Sequence, residues 1–194
     1  MKKIALVTVF ALVISTSFAQ TQQGRMMVGG SLGFSGHTDK TKNNNTTVTT
    51  DKYTTFSLAP QFGYFVIDNL AVGAGLDLSA ESHKMLYNDS KSVTTTLQFE
   101  PFVRYYLPMK IFFHGSFGVG SSKVKTTDNN VTTTSNGGVT SGSIAAGYAW
   151  FLNSNVAIEP MVGYSSTRTN PSGNLKYLES GPFIKVGFQI YLGK

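Results

Sequence analysis

The sequence predicts an all-β protein: an eight-stranded antiparallel up-and-down transmembrane β-barrel with short periplasmic turns and longer extracellular loops. Two observations predict this class. Apolar residues alternate with small or polar ones at a period of two, as on the two faces of a β-strand. The bulky residues share one face, and the few charged residues within the segments share the other. A soluble barrel would bury its bulky face, whereas a barrel in lipid turns that face outward.

The segment 56–64 displays the alternation plainly. Its bulky positions are Phe56, Leu58, Phe62 and Tyr64, and its small or polar positions are Ser57, Ala59, Gln61 and Gly63. Similar segments recur along the chain, each near the length that crosses a bilayer at a tilt of about 45°. We predict strands at 26–36, 53–64, 70–82, 92–106, 111–124, 138–150, 156–166 and 182–192.

The connections between these predicted strands alternate in length. Long segments rich in Thr, Asn, Ser and Gly cover 37–52, 123–138 and 165–175, and short turns cover 65–69, 107–110 and 151–155. Long extracellular loops opposite short periplasmic turns are typical of outer-membrane barrels. We therefore interpret the long segments as hairpin loops at the cell surface rather than as linkers.

The first residues have the organisation of a secretory signal peptide. Lys2 and Lys3 form a positive start, residues 4–14 form an apolar run, and Ser17 and Ala19 are the small residues expected before a cleavage site. The apolar run is too short for a transmembrane helix, which needs about 20 residues. We expect a signal peptide at 1–19 and one outer-membrane barrel domain at 20–194, exported to the cell outer membrane of a Gram-negative-type bacterium.

Composition argues against several classes of function. The chain contains no cysteine, which removes disulfides, thiolate metal sites and a cysteine nucleophile. Its formal net charge is +6, but the basic residues are spread along the chain, so we expect no nucleic-acid binding. The histidines and acids do not have the spacing of metal ligands. We expect no metal and no cofactor.

Polar residues on the small-residue face point into the predicted barrel and form its candidate site. They are Asp77, Gln98, Glu100, Arg104, His114, Glu159, Lys185 and Gln189. Because an eight-stranded barrel is just wide enough to be filled by side chains, we interpret them as an ion network that plugs the lumen. The alternative is a narrow solute path lined by the same charges. Symmetric hairpins would place Arg104 opposite His114 and Glu159 opposite Lys185.

Aromatic residues next to the short turns predict a girdle at the periplasmic interface. These residues are Tyr64, Tyr105, Tyr148 and Trp150. Rings with one polar end favour the boundary between lipid and water.

Three prolines fall inside predicted strands. Pro60, Pro101 and Pro160 each lack the amide that would donate to a neighbouring strand. We expect bulges or irregular pairing at these positions.

The chain resembles the outer-membrane β-barrel (porin-like) domain family. The resemblance rests on the signal peptide, on the Gly-Tyr-Phe-x-x-Asp-Asn-Leu-Ala-Val-Gly hairpin at 63–73 and on the closing Gly-Phe-Gln-Ile-Tyr at 187–191. In size the chain is similar to outer membrane protein X and to the membrane domain of outer membrane protein A. The resemblance implies an eight-stranded barrel inserted by the barrel assembly machinery. The chain departs from the common terminal aromatic, because Leu192, Gly193 and Lys194 follow Tyr191.

The sequence predicts a protein that is not an enzyme. A serine hydrolase needs a nucleophile, a histidine and an acid that converge, but Glu81, Ser82 and His83 are adjacent on a strand and point alternately to opposite faces. We expect a monomeric barrel that acts in membrane integrity or surface interaction through its loops. A small passive pore for ions or small solutes is the alternative, and a lipid-modifying enzyme is the third hypothesis.

The predicted loops give the expected partners. Their lysines, Lys123 and Lys125 among them, would meet phosphates of lipopolysaccharide, and the barrel wall would contact outer-membrane lipid. Threonines at 46–50, 94–96 and 132–134 indicate strands that protrude beyond the membrane. Protruding strand edges can pair with a partner protein, although the sequence does not identify a surface ligand.

Overall fold

The protein is described by a computed structural model over residues 20–43, 46–85, 90–128, 131–171 and 176–193. The predicted signal peptide at 1–19 lies outside these residues. Within the described ranges, no helix has the length and apolar character needed to cross a membrane.

Antiparallel strands form one sheet that closes on itself. The strands are β1 (Met26–Asn43), β2 (Thr46–Ile67), β3 (Leu70–Met85), β4 (Lys91–Tyr106), β5 (Ile111–Asp128), β6 (Val131–Tyr148), β7 (Trp150–Phe151), β8 (Val156–Pro171) and β9 (Tyr177–Leu192). Strands β1 to β6 pair in sequence order, β9 joins β1 to β8, and β6 pairs with β8 to close the ring. The two-residue strand β7 continues the line of β6 along β8. The ring therefore has eight wall positions, and the predicted fold class is confirmed.

The strands extend beyond their predicted ends on the side of the long hairpins. Strand β2 has 22 residues and begins at Thr46, within the segment that was expected to be a loop. Strands β5 and β6 likewise continue to Asp128 and Val131. Threonine is β-branched and favours extended backbone, and the Thr127 and Thr132 hydroxyls lie 3.1 Å apart across this hairpin. Much of the polar sequence interpreted as loop is therefore paired β-ribbon.

The prolines interrupt pairing without shifting its register. Strand β2 pairs with β3 up to Leu58 and resumes at Gln61 in the same register, on either side of Pro60. The pairing of β4 with β5 has a similar gap at Pro101. At Pro160, β8 stops pairing with β6 and then pairs with β7. The expected irregular pairing is present, but the expected bulges are not at these positions, because a missing amide removes a bond without adding a residue.

Short turns close the other end of the barrel, called here the short-turn end. Asn69 and Lys110 adopt positive φ values of 66° and 65° in two of these turns. The chain before β1 folds over the first turn, where the Thr21 hydroxyl donates to Asn69 Oδ1 at 2.6 Å. The backbone amide of Gln23 donates to Asp68 Oδ1 at 2.7 Å. These contacts fix the entrance to β1 against the β2–β3 turn.

The two faces of the wall have opposite character. Large apolar side chains cover the outside, as at Phe34, which is 76% exposed to its surroundings. The inside at the short-turn end contains a small buried cluster that includes Met27, Phe65, Phe112 and Tyr191. An apolar exterior is costly in water but suited to lipid.

Candidate functional site

All eight residues predicted for the lumen are at least partly buried, and they fall into two groups along the barrel. Arg104, His114 and Glu159 meet at the short-turn end. The residues nearer the long hairpins are Asp77, Gln98, Glu100 and Lys185. Gln189 belongs to neither group.

An ion pair crosses the lumen at the short-turn end. Arg104 Nη1 donates to Glu159 Oε2 at 2.5 Å, and both side chains are 0% exposed. Arg104 is on β4 and Glu159 is on β8, and β5 and β6 separate these strands along the wall. A buried charge needs a partner of opposite sign, and here the partner comes from across the barrel.

Two tyrosines complete the coordination of Glu159. The Tyr191 hydroxyl donates to Glu159 Oε1 at 2.5 Å, and the Tyr106 hydroxyl lies 3.2 Å from the same oxygen. The two hydroxyls are 2.9 Å apart. The Tyr106 hydroxyl also accepts from Arg104 Nη1 at 3.3 Å and lies 3.3 Å from Met27 Sδ. Both carboxylate oxygens of Glu159 are thereby satisfied inside the protein.

Aromatic rings surround the guanidinium group. The Arg104 Cζ atom lies 4.6 Å from the centroid of the Phe112 ring and 5.7 Å from that of Phe102. The negative face of an aromatic ring attracts a cation. Phe65 packs against Tyr106, with ring centroids 5.8 Å apart. We call Arg104, Glu159, Tyr106, Tyr191 and these three phenylalanines the plug.

The two predicted cross-strand pairs have different outcomes. Arg104 is paired with His114 in the register of β4 and β5, as expected, and Arg104 Nε donates to His114 Nδ1 at 3.3 Å. Glu159 faces Gly187, and Lys185 faces Met161, so the predicted pairing of Glu159 with Lys185 is wrong. The last hairpin is therefore centred differently from the symmetric arrangement that the prediction assumed.

Gln189 is fully buried on β9, where it faces Ala157 of β8. Its Oε1 and Nε2 atoms have no hydrogen-bond partner within the described part of the chain. Its Oε1 atom lies close to the backbone of Gly29, where an added Cβ atom would clash with it.

A cavity of about 390 Å³ lies above the plug. Its lining residues are Thr55, Asp77, Ser79, Glu81, Thr94, Thr96, Gln98, Glu100, Ser122, Val124, Val139, Ser141, Gly142, Ser143, Ser165, Thr167, Thr169, Glu179, Phe183 and Lys185. We call this space the vestibule. It reaches from the middle of the barrel toward the long hairpins.

The vestibule residues form local pairs rather than one network. Lys185 Nζ lies 3.7 Å from Asp77 Oδ2. The Ser116 hydroxyl donates to Glu100 Oε1 at 2.5 Å, and the Ser141 hydroxyl donates to Gln98 Oε1 at 2.9 Å. The predicted single network therefore consists of a dense cluster below and a looser polar wall above.

The four predicted girdle residues lie on the outer surface. Tyr64, Tyr105 and Tyr148 are between 42% and 45% exposed, and Trp150 is 63% exposed. All four are close in sequence to the short turns. Their placement at a lipid–water interface stays a prediction.

The histidine considered for catalysis lies in a different setting from a hydrolase triad. His83 Nε2 is 2.9 Å from Asp51 Oδ1, and the His83 ring stacks on Tyr53 with centroids 4.2 Å apart. Ser82 is the next residue on the same strand and points to the opposite face. In the part of the chain described, no group of three or more histidine or acidic residues is placed to hold a metal ion.

Sequence reasoning missed the tyrosines of the plug. Tyr106 has the same strand parity as Arg104, and Tyr191 has the same parity as Gln189, so the alternation did place both rings inside. The alternation of bulky and small residues predicts a lipid-facing position for aromatic side chains, so the predicted lumen contains only plainly polar residues. A buried carboxylate needs several hydrogen-bond donors. Tyrosines on the inward face of the strands could supply them, and this was the signal in the sequence.

A closed antiparallel ring with an apolar exterior and a polar, partly filled lumen defines a membrane β-barrel of the outer-membrane type. The chain belongs to the outer membrane protein β-barrel domain family, whose model matches residues 5–181. The predicted family is thus confirmed, and it places the protein in the outer membrane, in contact with its lipid. No curated protein matches the sequence.

Solved structures have a similar fold. Ail, the attachment invasion locus protein of Yersinia pestis, is 9% identical with a TM-score of 0.51, and the match covers 88% of this chain and 100% of that chain. Neisserial surface protein A is 13% identical with a TM-score of 0.49, and the match covers 87% of this chain and 99% of that chain. At 9% identity the likeness to Ail concerns the fold alone.

Proposed function

We propose that this protein is a non-conducting, non-enzymatic outer-membrane barrel whose protruding strands act in surface interaction, with a further role in membrane integrity. The observation that carries the proposal is the plug. Arg104, Glu159, Phe65, Phe112 and Tyr191 are all fully buried. Water-sized solutes that enter the vestibule would therefore meet packed side chains rather than a continuous path.

The length of the strands supports the surface role. Strand β1 has 18 residues, which at about 3.3 Å per residue is about 60 Å long. Tilted by about 40°, such a strand rises about 45 Å, well beyond an apolar band of about 25 Å. On β5 the outward side chains change from Phe117 and Val119 to Lys123 and Lys125. The outer part of the wall is thus suited to water rather than to lipid.

A groove on the outside of this protruding wall supports contact with lipopolysaccharide. The groove has a volume of about 330 Å³ and is lined by Val93, Thr95, Leu97, Ser121, Lys123 and Lys125. Two ammonium groups next to apolar side chains suit a lipid phosphate with attached acyl chains. Replacing both lysines by glutamine should weaken binding of lipopolysaccharide to the refolded barrel, whereas Lys110→Gln in a short turn should not.

Single-channel recording in a planar bilayer tests the closed lumen. Folded wild-type protein should give no discrete current steps. The double variant Arg104→Ala with Glu159→Ala removes the ion pair that crosses the lumen and should produce steps, whereas Asp77→Asn above the plug should stay silent. Folding would be verified by the heat-dependent mobility of each variant on electrophoresis. Reproducible steps from wild-type protein would instead support the passive pore.

Shortening the β5–β6 hairpin tests the surface role. Replacing residues 126–133 by a two-residue turn removes paired strand outside the apolar band and leaves the plug intact. Cells that display the shortened barrel should adhere less to surfaces coated with matrix protein than cells that display the full barrel. Equal adhesion at equal surface display would remove this hairpin from the proposed role.

We further propose export by a signal peptide cleaved after residue 19, insertion by the barrel assembly machinery and a monomeric state. The mass of the purified mature chain tests the cleavage site. Depletion of the assembly machinery should lower the amount of folded barrel. Sedimentation in detergent should give the mass of one chain, and a dimer mass would contradict the monomer.

A further inference from the structure

We infer that the edge of β1 above Leu32 is a binding site for an extended peptide segment of another protein, which adds to the wall as a further strand. Among the described strands, β1 pairs with β9 only from Met26 to Leu32. Its pairing with β2 continues to Asn43. Within the described residues, the segment 33–43 of β1 therefore has no neighbouring strand on the side of β9. Backbone groups left free in this way are a template for another strand.

Strand β9 separates from β1 at the same level. Its pairing with β1 covers Val186 to Leu192, whereas its pairing with β8 continues to Tyr177. We call the opening between residues 33–43 of β1 and residues 177–185 of β9 the seam. The wall is thus closed below the seam and open along it.

The lower end of the seam lies within the apolar exterior. Phe34 and Ile184 come two positions beyond the last pair, which joins Leu32 to Val186. They are 76% and 79% exposed, the highest fractions among the large apolar side chains of the described residues. An unpaired strand edge is costly in lipid, because lipid does not hydrogen-bond to the backbone. The backbone of another polypeptide strand would satisfy these groups.

The prolines of the wall show which backbone groups face the seam. Pro60 interrupts the pairing of β2 with β3 but not that of β2 with β1, so its missing amide is on the side of β3. Alternate residues of a strand direct their backbone groups to opposite neighbours. Because Gly30 is opposite Pro60, even-numbered residues of β1 direct theirs away from β2. At the seam these residues are Phe34, Gly36 and Thr38.

The two edges of the seam differ in their ability to pair. Pro182 lies opposite Tyr164 in the continuous register of β9 with β8, so its missing amide is on the side of the seam. No proline occurs at 33–43. Proline on an edge strand limits pairing with other chains. The incoming strand therefore pairs with β1, and antiparallel pairing is the more stable direction.

The faces of the wall set the side chains that a partner strand needs. Residues opposite each other in a ladder share a face, so the positions opposite Phe34 and Gly36 point outward. The positions between them point inward, where Thr55 and Glu179 line the vestibule. A segment that alternates apolar with polar side chains fits both faces. In such strand addition the backbone bonds provide affinity, and the alternate side chains provide specificity.

The inference rests on the proposed surface role and names its site and its class of partner. The seam is separate from the β5–β6 hairpin, so the barrel shortened at 126–133 should still bind a peptide. Lower adhesion of the shortened barrel, together with no peptide binding by wild-type protein, would overturn this inference alone. Peptide binding with unchanged adhesion would remove the hairpin from the surface role and support the seam.

Fluorescence anisotropy tests the site, with the refolded full barrel in nanodiscs of phosphatidylcholine. The probe is a dye-labelled peptide of alternating valine and threonine, about as long as the segment 33–43. Wild-type protein should bind it saturably. With its valines outward opposite Phe34 and Gly36, the peptide directs the valine amides toward β1. N-methylation of the valines should weaken binding at least about tenfold. N-methylation of the threonines is the matched control and should change affinity less than about twofold.

A proline on each edge of the seam tests which strand is used. Gly36→Pro removes an amide from the β1 edge without removing a bond to β2, and it should weaken peptide binding at least about tenfold. Ser180→Pro removes the corresponding amide from the β9 edge and should change affinity less than about twofold. Heat-dependent mobility verifies that each variant folds. The methylated peptides are compared on wild-type protein, so that test does not depend on the folding of a variant.

Equal affinity for the two methylated peptides would overturn the inference, as would the absence of saturable binding by wild-type protein. Weaker binding by Ser180→Pro with unchanged binding by Gly36→Pro would overturn it as well, because the peptide would then pair with β9.

Discussion

Arg104 and Glu159 form an ion pair that joins opposite parts of the barrel wall. They lie on β4 and β8, and their 2.5 Å contact spans the lumen past β5 and β6. The pair is neutral as a unit, and two tyrosine hydroxyls, a histidine nitrogen and the Met27 sulfur supply its other hydrogen bonds. It thus links the closure of the lumen to the stability of the barrel.

Breaking this pair should destabilise the barrel strongly. Glu159→Gln leaves the guanidinium of Arg104 buried without a counter-ion, which costs about 3–5 kcal/mol. Asp77→Asn is the control, because its partly exposed contact with Lys185 contributes about 1 kcal/mol or less. The measurement is the free energy of unfolding from urea titration in vesicles. Equal losses of unfolding free energy in the two variants would show that the buried ion pair stabilises the barrel no more than the partly exposed pair does.

Replacing both members of the pair should restore much of the lost stability. Arg104→Met with Glu159→Leu removes both charges and keeps apolar volume in the lumen. A well-packed apolar replacement of a buried ion pair is often neutral or stabilising. We expect the double variant to be at least about 2 kcal/mol more stable than Glu159→Gln. If the double variant is less stable than Glu159→Gln, the packing of Tyr106 and Tyr191 depends on the charged pair.

Replacement by alanine should destabilise the barrel more at Gly73 than at the neighbouring Gly63. A Cβ atom at Gly73 would meet the backbone oxygen of Phe62 and would lie 2.5 Å from Cζ of Phe102. Overpacking of this kind costs about 1–3 kcal/mol. At Gly63 the nearest atom is the flexible Cε of Met27, at 3.1 Å, so Gly63→Ala should cost less. The same urea titration compares them, and a larger loss for Gly63→Ala would contradict this packing.

Trp150 should report the position of the aromatic girdle. It is the only tryptophan in the sequence and is 63% exposed on the outer wall. If the girdle lies at the interface, lipids brominated near the headgroup should quench its fluorescence more than lipids brominated near the acyl-chain end. Acrylamide from the water should quench it only weakly. Strong quenching by acrylamide with none by brominated lipid would place Trp150 outside the membrane.

The extent of the strands was only partly predictable. The apolar alternation located each membrane segment, but the Thr-rich ends, such as those of β5 and β6, carry no apolar alternation and lie outside the predicted strand bounds. Only the threonines, such as those at 132–134, indicated that strands protrude there. They are ordered as strand because each ribbon edge finds a partner across its own hairpin. The sequence predicts irregular pairing at Pro160. It does not predict that the interruption falls between β8 and β6 and so separates the short strand β7 from β6.

The sequence by itself determined the closed barrel, the outward and inward faces and the positions of the short turns. These follow from a period of two along each strand and from the need to pair every backbone group in lipid. Only the tertiary structure decided that Arg104 meets Glu159, that Tyr106 and Tyr191 join them and that a vestibule lies above. Alternation assigns a side chain to a face, but the stagger of the closed sheet sets which inward residues reach the same height.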